Sequence, residues 1–138
     1  MPRLDKIHVI VRNALEKDGW SITHDPFIIQ YEEQTVYADL GAEKLFAAER
    51  QGKKIAVEVK SFIHASKIHD LELALGQYNL YQTYLELIEP DRHLYLAVNS
   101  DIYEQVFGQK AIQVVIEKFQ LAVVVVNLAD EEVVTWIR

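Results

Sequence analysis

Glu58 and Lys60 lie two residues apart in Ile55-Ala56-Val57-Glu58-Val59-Lys60. Side chains alternate along an extended chain, so this spacing puts a carboxylate and an ammonium on one side of a strand and Ile55, Val57 and Val59 on the other. Asp39, on a preceding extended segment, offers a second carboxylate. Two carboxylates with an ammonium suit phosphodiester hydrolysis. Hard Mg²⁺ or Mn²⁺ takes oxygen ligands and polarises phosphate and water, while the lysine offsets developing negative charge. Glu43 and Glu49 compete with Asp39. If Gln51-Gly52 is a two-residue hairpin turn, position 43 faces Lys60 and position 45 faces Glu58, and only a bulge or bend favours Asp39. The plainer reading is a solvated ion pair on an exposed strand face, worth little to stability, from which Lys60 could be removed at small cost.

The elements that must position these residues are legible in the apolar spacing. Leu4, Ile7, Val11, Ala14 and Leu15 predict a helix over residues 4–18 that stops at Gly19. Residues 20–23 and 27–31 read as a hairpin of short strands broken at Asp25-Pro26. Residues 36–40, 45–49 and 54–62 read as extended, with a turn at Gln51-Gly52. A long helix begins between Ser66 and Asp70 and runs to Pro90; a strand follows at 93–98, then helices at 101–107 and 110–119 separated near Gly108. Residues 121–127, with four consecutive valines, predict a buried strand, and 133–137 a last one. The order is that of an α/β fold with a mixed central sheet flanked by helices, in one domain over residues 1–138.

That setting, an acidic strand, then Glu58-x-Lys60 ending an apolar strand, then a long helix, resembles the PD-(D/E)XK, restriction-endonuclease-like superfamily. The resemblance implies a restriction-endonuclease-like core in which Glu58 and Lys60 are the ExK pair and Asp39 and Glu58 hold Mg²⁺ or Mn²⁺. His8, Val11, Leu15 and Gly19-Trp20 look like the first helix of resolvase-like members, with His8 at a position those members give to an acidic residue. His8 shares the buried stripe, so it either orients a metal water or is a satisfied core histidine. Gln77, in Leu75-Gly76-Gln77-Tyr78, matches a polar position near the active site of several members; its plainer reading is a surface glutamine. Gly76 is expected to let its helix approach the sheet, and Tyr78, Tyr81 and Tyr84 to pack rather than stack on bases.

Over nearly the whole chain, 17-KDGWSITHDP-26, Tyr37-Ala38-Asp39-Leu40, Ala47-Ala48-Glu49-Arg50 and Gly76-Gln77-Tyr78 are similar to the cyanobacterial fdxN-element excision controlling factor family, the XisH-like proteins. The resemblance implies a role in programmed excision of a DNA element, beside a recombinase and a second small controlling factor. It leaves two functions open: a metal-dependent nuclease, or a non-catalytic accessory protein that keeps the fold and binds a recombinase or small partner.

Composition narrows the choice. The 138 residues are 50% hydrophobic, enough for a packed core, and contain no cysteine, which excludes disulfides, thiolate zinc sites and cysteine nucleophiles. The net charge of −7 opposes unguided attachment to DNA, so a partner is expected to deliver the DNA; a homo-oligomer would multiply the acidity. Residues 39–60 are the least acidic stretch: Lys44, Arg50, Lys53, Lys54 and Lys60 oppose Asp39, Glu43, Glu49 and Glu58, a net of +1. No apolar leader or membrane-length stretch is visible, and a cytoplasmic protein is expected.

Overall fold

The computed structural model describes residues 4–36, 39–40 and 43–138, with side chains at 6–36 and 45–138. Helix α1, Leu4–Lys17, buries Ile7, Val11, Ala14 and Leu15 as their spacing requires. It ends at Gly19, whose φ of +95° is a left-handed conformation natural to glycine. Strands β1 (Ser21–His24), β2 (Ile29–Tyr31), β3 (Gln34–Val36), β4 (Asp39–Leu40), β5 (Glu43–Arg50) and β6 (Lys53–Val59) follow. Helix α2, Lys67–Ile88, crosses to β7 (Arg92–Asn99). A short α3 (Ser100–Ile102) runs into a π-helical turn, Tyr103–Phe107, and α4 (Lys110–Lys118) leads to β8 (Val123–Asn127) and β9 (Glu132–Ile137). The break between those helices needs Gly108, because a Cβ there would lie 2.6 Å from the Glu104 carbonyl oxygen.

Among the described residues, β1-β5-β6-β7-β8-β9 lie side by side in one sheet, with β4 also paired to β5. The sheet is mixed: β6, β7 and β8 run parallel, and the other pairings are antiparallel. The expected hairpin between β1 and β2 does not form. β1 pairs with β5, and β2 pairs with β3 in a separate two-stranded sheet. Pro26 has no N–H to extend the first ladder, and the next donor, Phe27 N–H, goes to the Leu45 carbonyl 2.7 Å away.

The hairpin of β5 and β6 has the register expected from its turn, with Leu45 opposite Glu58 and Arg50 opposite Lys53. Gln51 and Gly52 both have positive φ, 50° and 81°, as a two-residue turn matched to strand twist demands. Opposed residues share a sheet face, so Leu45 and Glu58 lie on one face and Phe46 and Val57 on the other. Helices cover both. His8 of α1 meets the Phe46 ring edge-on, with centroids 5.5 Å apart, while α2 reaches the Glu58 face through Gln77. Val123, Val124, Val125 and Val126 are all buried, which a central strand covered on both faces requires.

Tyr78 ties α2 to this sheet. Its buried hydroxyl donates to the Leu94 carbonyl at 3.3 Å and accepts from Ala122 N–H at 3.2 Å, and burial raises its pKa above the ordinary tyrosine value. Tyr78→Phe is expected to cost about 1–3 kcal/mol in urea unfolding, by stranding the Ala122 N–H. The raised pKa also sets a pH dependence. From about pH 10 upward the unfolded chain releases a proton that the folded chain keeps, so stability should fall as pH rises through that range. Tyr78→Phe should flatten that alkaline limb; an unchanged limb would assign it to other groups. No helix among the described residues is long and apolar enough to cross a membrane.

Candidate functional site

Glu58 is the penultimate residue of β6, with Leu45 opposite it on β5 and Leu96 beside it on β7. After Val59 the chain leaves the ladder, but Lys60 N–H still donates to the Ala97 carbonyl at 2.9 Å. This keeps the lysine beside the sheet. Phe62 then adopts a left-handed φ of 52° and buries its ring against Phe107, with centroids 5.5 Å apart. Lys67 Nζ donates to the Phe62 and His64 carbonyls, at 2.6 and 2.7 Å, and the Ser66 hydroxyl caps α2 by accepting from His69 N–H. The short loop is thus pinned at both ends, and α2 carries Gln77 over the end of β6.

Among the described residues, the result is a polar cluster of Glu58, Lys60 and Gln77. Lys60 Nζ lies 3.0 Å from Glu58 Oε1 and donates a short hydrogen bond to Gln77 Oε1. Glu58 is 0% and Lys60 4% exposed. The solvated ion pair entertained from sequence is therefore corrected: α2 covers the face that period-two alternation leaves looking polar. A paired ammonium and carboxylate held out of water is costly unless each charge is matched. Here the lysine matches the glutamate, and the glutamine carbonyl takes a further lysine proton.

The other candidates separate. Asp39 pairs in register with Lys44, and Leu40 with Glu43, so β4 joins the end of β5 whose next residue, Leu45, faces Glu58. The side chains of Asp39 and Glu43 lie outside the described residues. Glu49 is opposite Lys54, four positions along β5 from Leu45 and about 13 Å away at strand rise, beyond reach of Glu58. His8 is 4% exposed, and its Nε2 meets Asp25 Oδ2 at 2.8 Å; Arg12 Nη1 donates to the same oxygen at 2.7 Å. Its ring contacts Phe46, on the sheet face opposite Glu58, so the partner the structure gives His8 is Asp25.

Two features escaped the sequence reading. Asp25, read only as part of a strand break, closes the His8 and Arg12 cluster. Asp70, in the first turn of α2, is buried; its Oδ1 lies 2.6 Å from His64 Nδ1 and its Oδ2 accepts from His64 N–H at 3.2 Å. An acid in a first helical turn is an ordinary complement to the helix dipole, and nothing local announces its burial. Gly76 also differs from expectation. It faces solvent, and a Cβ there would meet nothing within 4 Å, so it does not serve an approach of α2 to the sheet. Tyr78 and Tyr81 are buried, and Tyr84 stacks on Tyr31 with centroids 5.5 Å apart, as packing residues should.

Among curated proteins none matches the chain. Two solved structures do. An XisH family protein from Nostoc punctiforme PCC 73102 is 39% identical, with a TM-score of 0.90 over 97% of this chain and 100% of that one. An fdxN element excision controlling factor protein from Anabaena variabilis is 41% identical, with a TM-score of 0.89 over 97% of this chain and 99% of that one. The sequence profile of the XisH protein family matches residues 1–134, and the chain belongs to the XisH family.

Proposed function

We propose that this protein acts in the controlled excision of a DNA element, the role carried in the name of its Anabaena relative, through a restriction-endonuclease-like core whose Glu58, Lys60 and Gln77 form a phosphodiesterase site. The observation that carries the reading is the buried Glu58, Lys60 and Gln77 cluster at the end of β6. Replacing a buried ion pair by well-packed apolar residues is often neutral or stabilising to a fold, so a buried pair here supports a chemical role.

The donors suit a hard divalent cation. Glu58 supplies carboxylate oxygen, and Asp39, entering through β4, is the proposed second ligand; among the described residues no group of three His, Cys, Asp or Glu gathers to hold a metal. Mg²⁺ or Mn²⁺ bound there supplies the Lewis acidity that phosphodiester hydrolysis needs. Lys60 holds its ammonium 3.0 Å from the Glu58 carboxylate, and Gln77 accepts a hydrogen bond from it; in this reading Lys60 neutralises charge growing on the phosphate oxygen of an admitted substrate. The test is metal-dependent cleavage of branched, nicked and single-stranded DNA by the purified chain. Cleavage lost in Glu58→Gln supports the site; equal cleavage by that variant rejects it.

A second reading, a non-catalytic accessory protein, is favoured by the burial itself, since a carboxylate without exposure meets a phosphate only if α2 or the loop before it yields. The charge of −7 points the same way. In either case the isolated chain should bind duplex DNA no more tightly than the roughly 10⁻⁴ to 10⁻⁶ M of non-specific association at physiological salt, with a recombinase or small partner delivering it. Fluorescence anisotropy checks this. Nanomolar, sequence-specific binding by the chain alone would remove the need for a delivering partner.

A further inference from the structure

Helix α2 has a buried apolar face and an exposed face that carries a row of leucines. One is in the core, through Leu71, Ala74, Tyr78, Tyr81 and Leu85. On the other, His69, Leu73, Gly76, Leu80, Thr83 and Leu87 recur at alternating steps of four and three, and every one is exposed. Leu73, Leu80 and Leu87 are 49%, 44% and 60% accessible. That spacing matches the seam of a coiled coil, which faces a second helix, with leucine here at every second position. A helix needs only one such stripe to join a globular core.

Gly76 makes the outer face harder to explain without a partner. A glycine inside a helix costs about 1 kcal/mol relative to alanine, and nothing within the protein requires it here. At the centre of the seam, flanked by Leu73 and Leu80, it leaves open space where a partner's side chain can approach the helix backbone. The rim gives the partner's character. Glu72 and Glu86 flank the seam and are exposed, and from residue 68 to residue 91 there is no lysine or arginine. A second copy would bring one glutamate rim against another, with no lysine or arginine of this stretch to meet it.

We propose that the outward face of α2 docks a basic amphipathic helix from a partner protein, with an apolar side chain seated over Gly76 and basic residues against Glu72 and Glu86. This goes beyond the excision reading and does not depend on the Glu58 site, and its test contains neither DNA nor metal. The probe is a synthetic helix of about three heptads, with leucine at the seam and lysine on both flanks, and a matched peptide with glutamate flanks. The lysine peptide should bind in the micromolar range and weaken as salt rises, and the glutamate peptide should not bind.

Leu80→Glu should reduce the affinity at least tenfold while leaving the melting temperature close to wild type, since the side chain is exposed. Gly76→Ala should raise the melting temperature of the free chain yet weaken peptide binding severalfold, because the methyl group fills that space. A merely exposed glycine would give the first effect without the second. No binding at about 100 μM, or equal binding to Leu80→Glu, overturns the proposal. So does sedimentation showing a dimer that Leu80→Glu dissociates, which would assign the face to a second copy.

Discussion

Lys60→Met is expected to lower the unfolding free energy by about 3–5 kcal/mol, the range for breaking a buried ion pair from one side. The lysine is 4% and its partner Glu58 0% exposed, so the variant keeps a carboxylate out of water without the ammonium 3.0 Å away. Adding Glu58→Leu should return most of that loss, to within about 1–2 kcal/mol of wild type, the remainder being the stranded Gln77 carbonyl. Urea unfolding of wild type and the two variants measures both steps. A single variant as stable as wild type would mean that the pair reaches water in solution, and the site would then be open to substrate without movement of α2. The sequence reading, which put Lys60 on an exposed polar face, expects that smaller effect.

The same double variant separates folding from chemistry. With Glu58→Leu and Lys60→Met together, the site keeps its packing but loses the proposed metal-binding oxygen and the ammonium, and metal-dependent DNA cleavage should fall by at least about 10³-fold. Glu58→Gln, nearly isosteric, should lose a comparable factor and should also abolish any rise in melting temperature produced by millimolar Mg²⁺ or Mn²⁺. Asp39→Asn should give a parallel loss if Asp39 is the second ligand. Residual cleavage equal in wild type and the double variant would place the activity elsewhere or in a contaminant. Wild type without cleavage, but still able to bind its partner, supports the accessory reading.

Much of the framework follows from local chemistry that one sequence carries. The Leu4 to Leu15 spacing determines α1, Gly19 ends it, the stretch from Ser66 to Asp70 brackets the start of α2, and Gln51-Gly52 determines the β5 and β6 register and therefore which residue opposes Glu58. These are interactions within a turn or across a two-residue loop, so nothing distant can alter them cheaply. The XisH family is legible for a related reason, because its marks are spread along almost the whole chain.

Burial is another matter, since it depends on what arrives from far along the chain. Alternation put Glu58 and Lys60 on one side of a strand, but it could not tell that α2 would close over that side and turn a surface pair into a buried one. Strand partners were equally non-local: Asp25-Pro26 marked a break, and only the approach of β5 decided that β1 would pair there rather than with β2. His8 was correctly placed on a buried stripe, but its partner, Asp25, comes from a segment beyond the helix. Gly76 shows the limit most plainly. A glycine's type is visible in the sequence, whereas the empty space beside it exists only once the chain has folded.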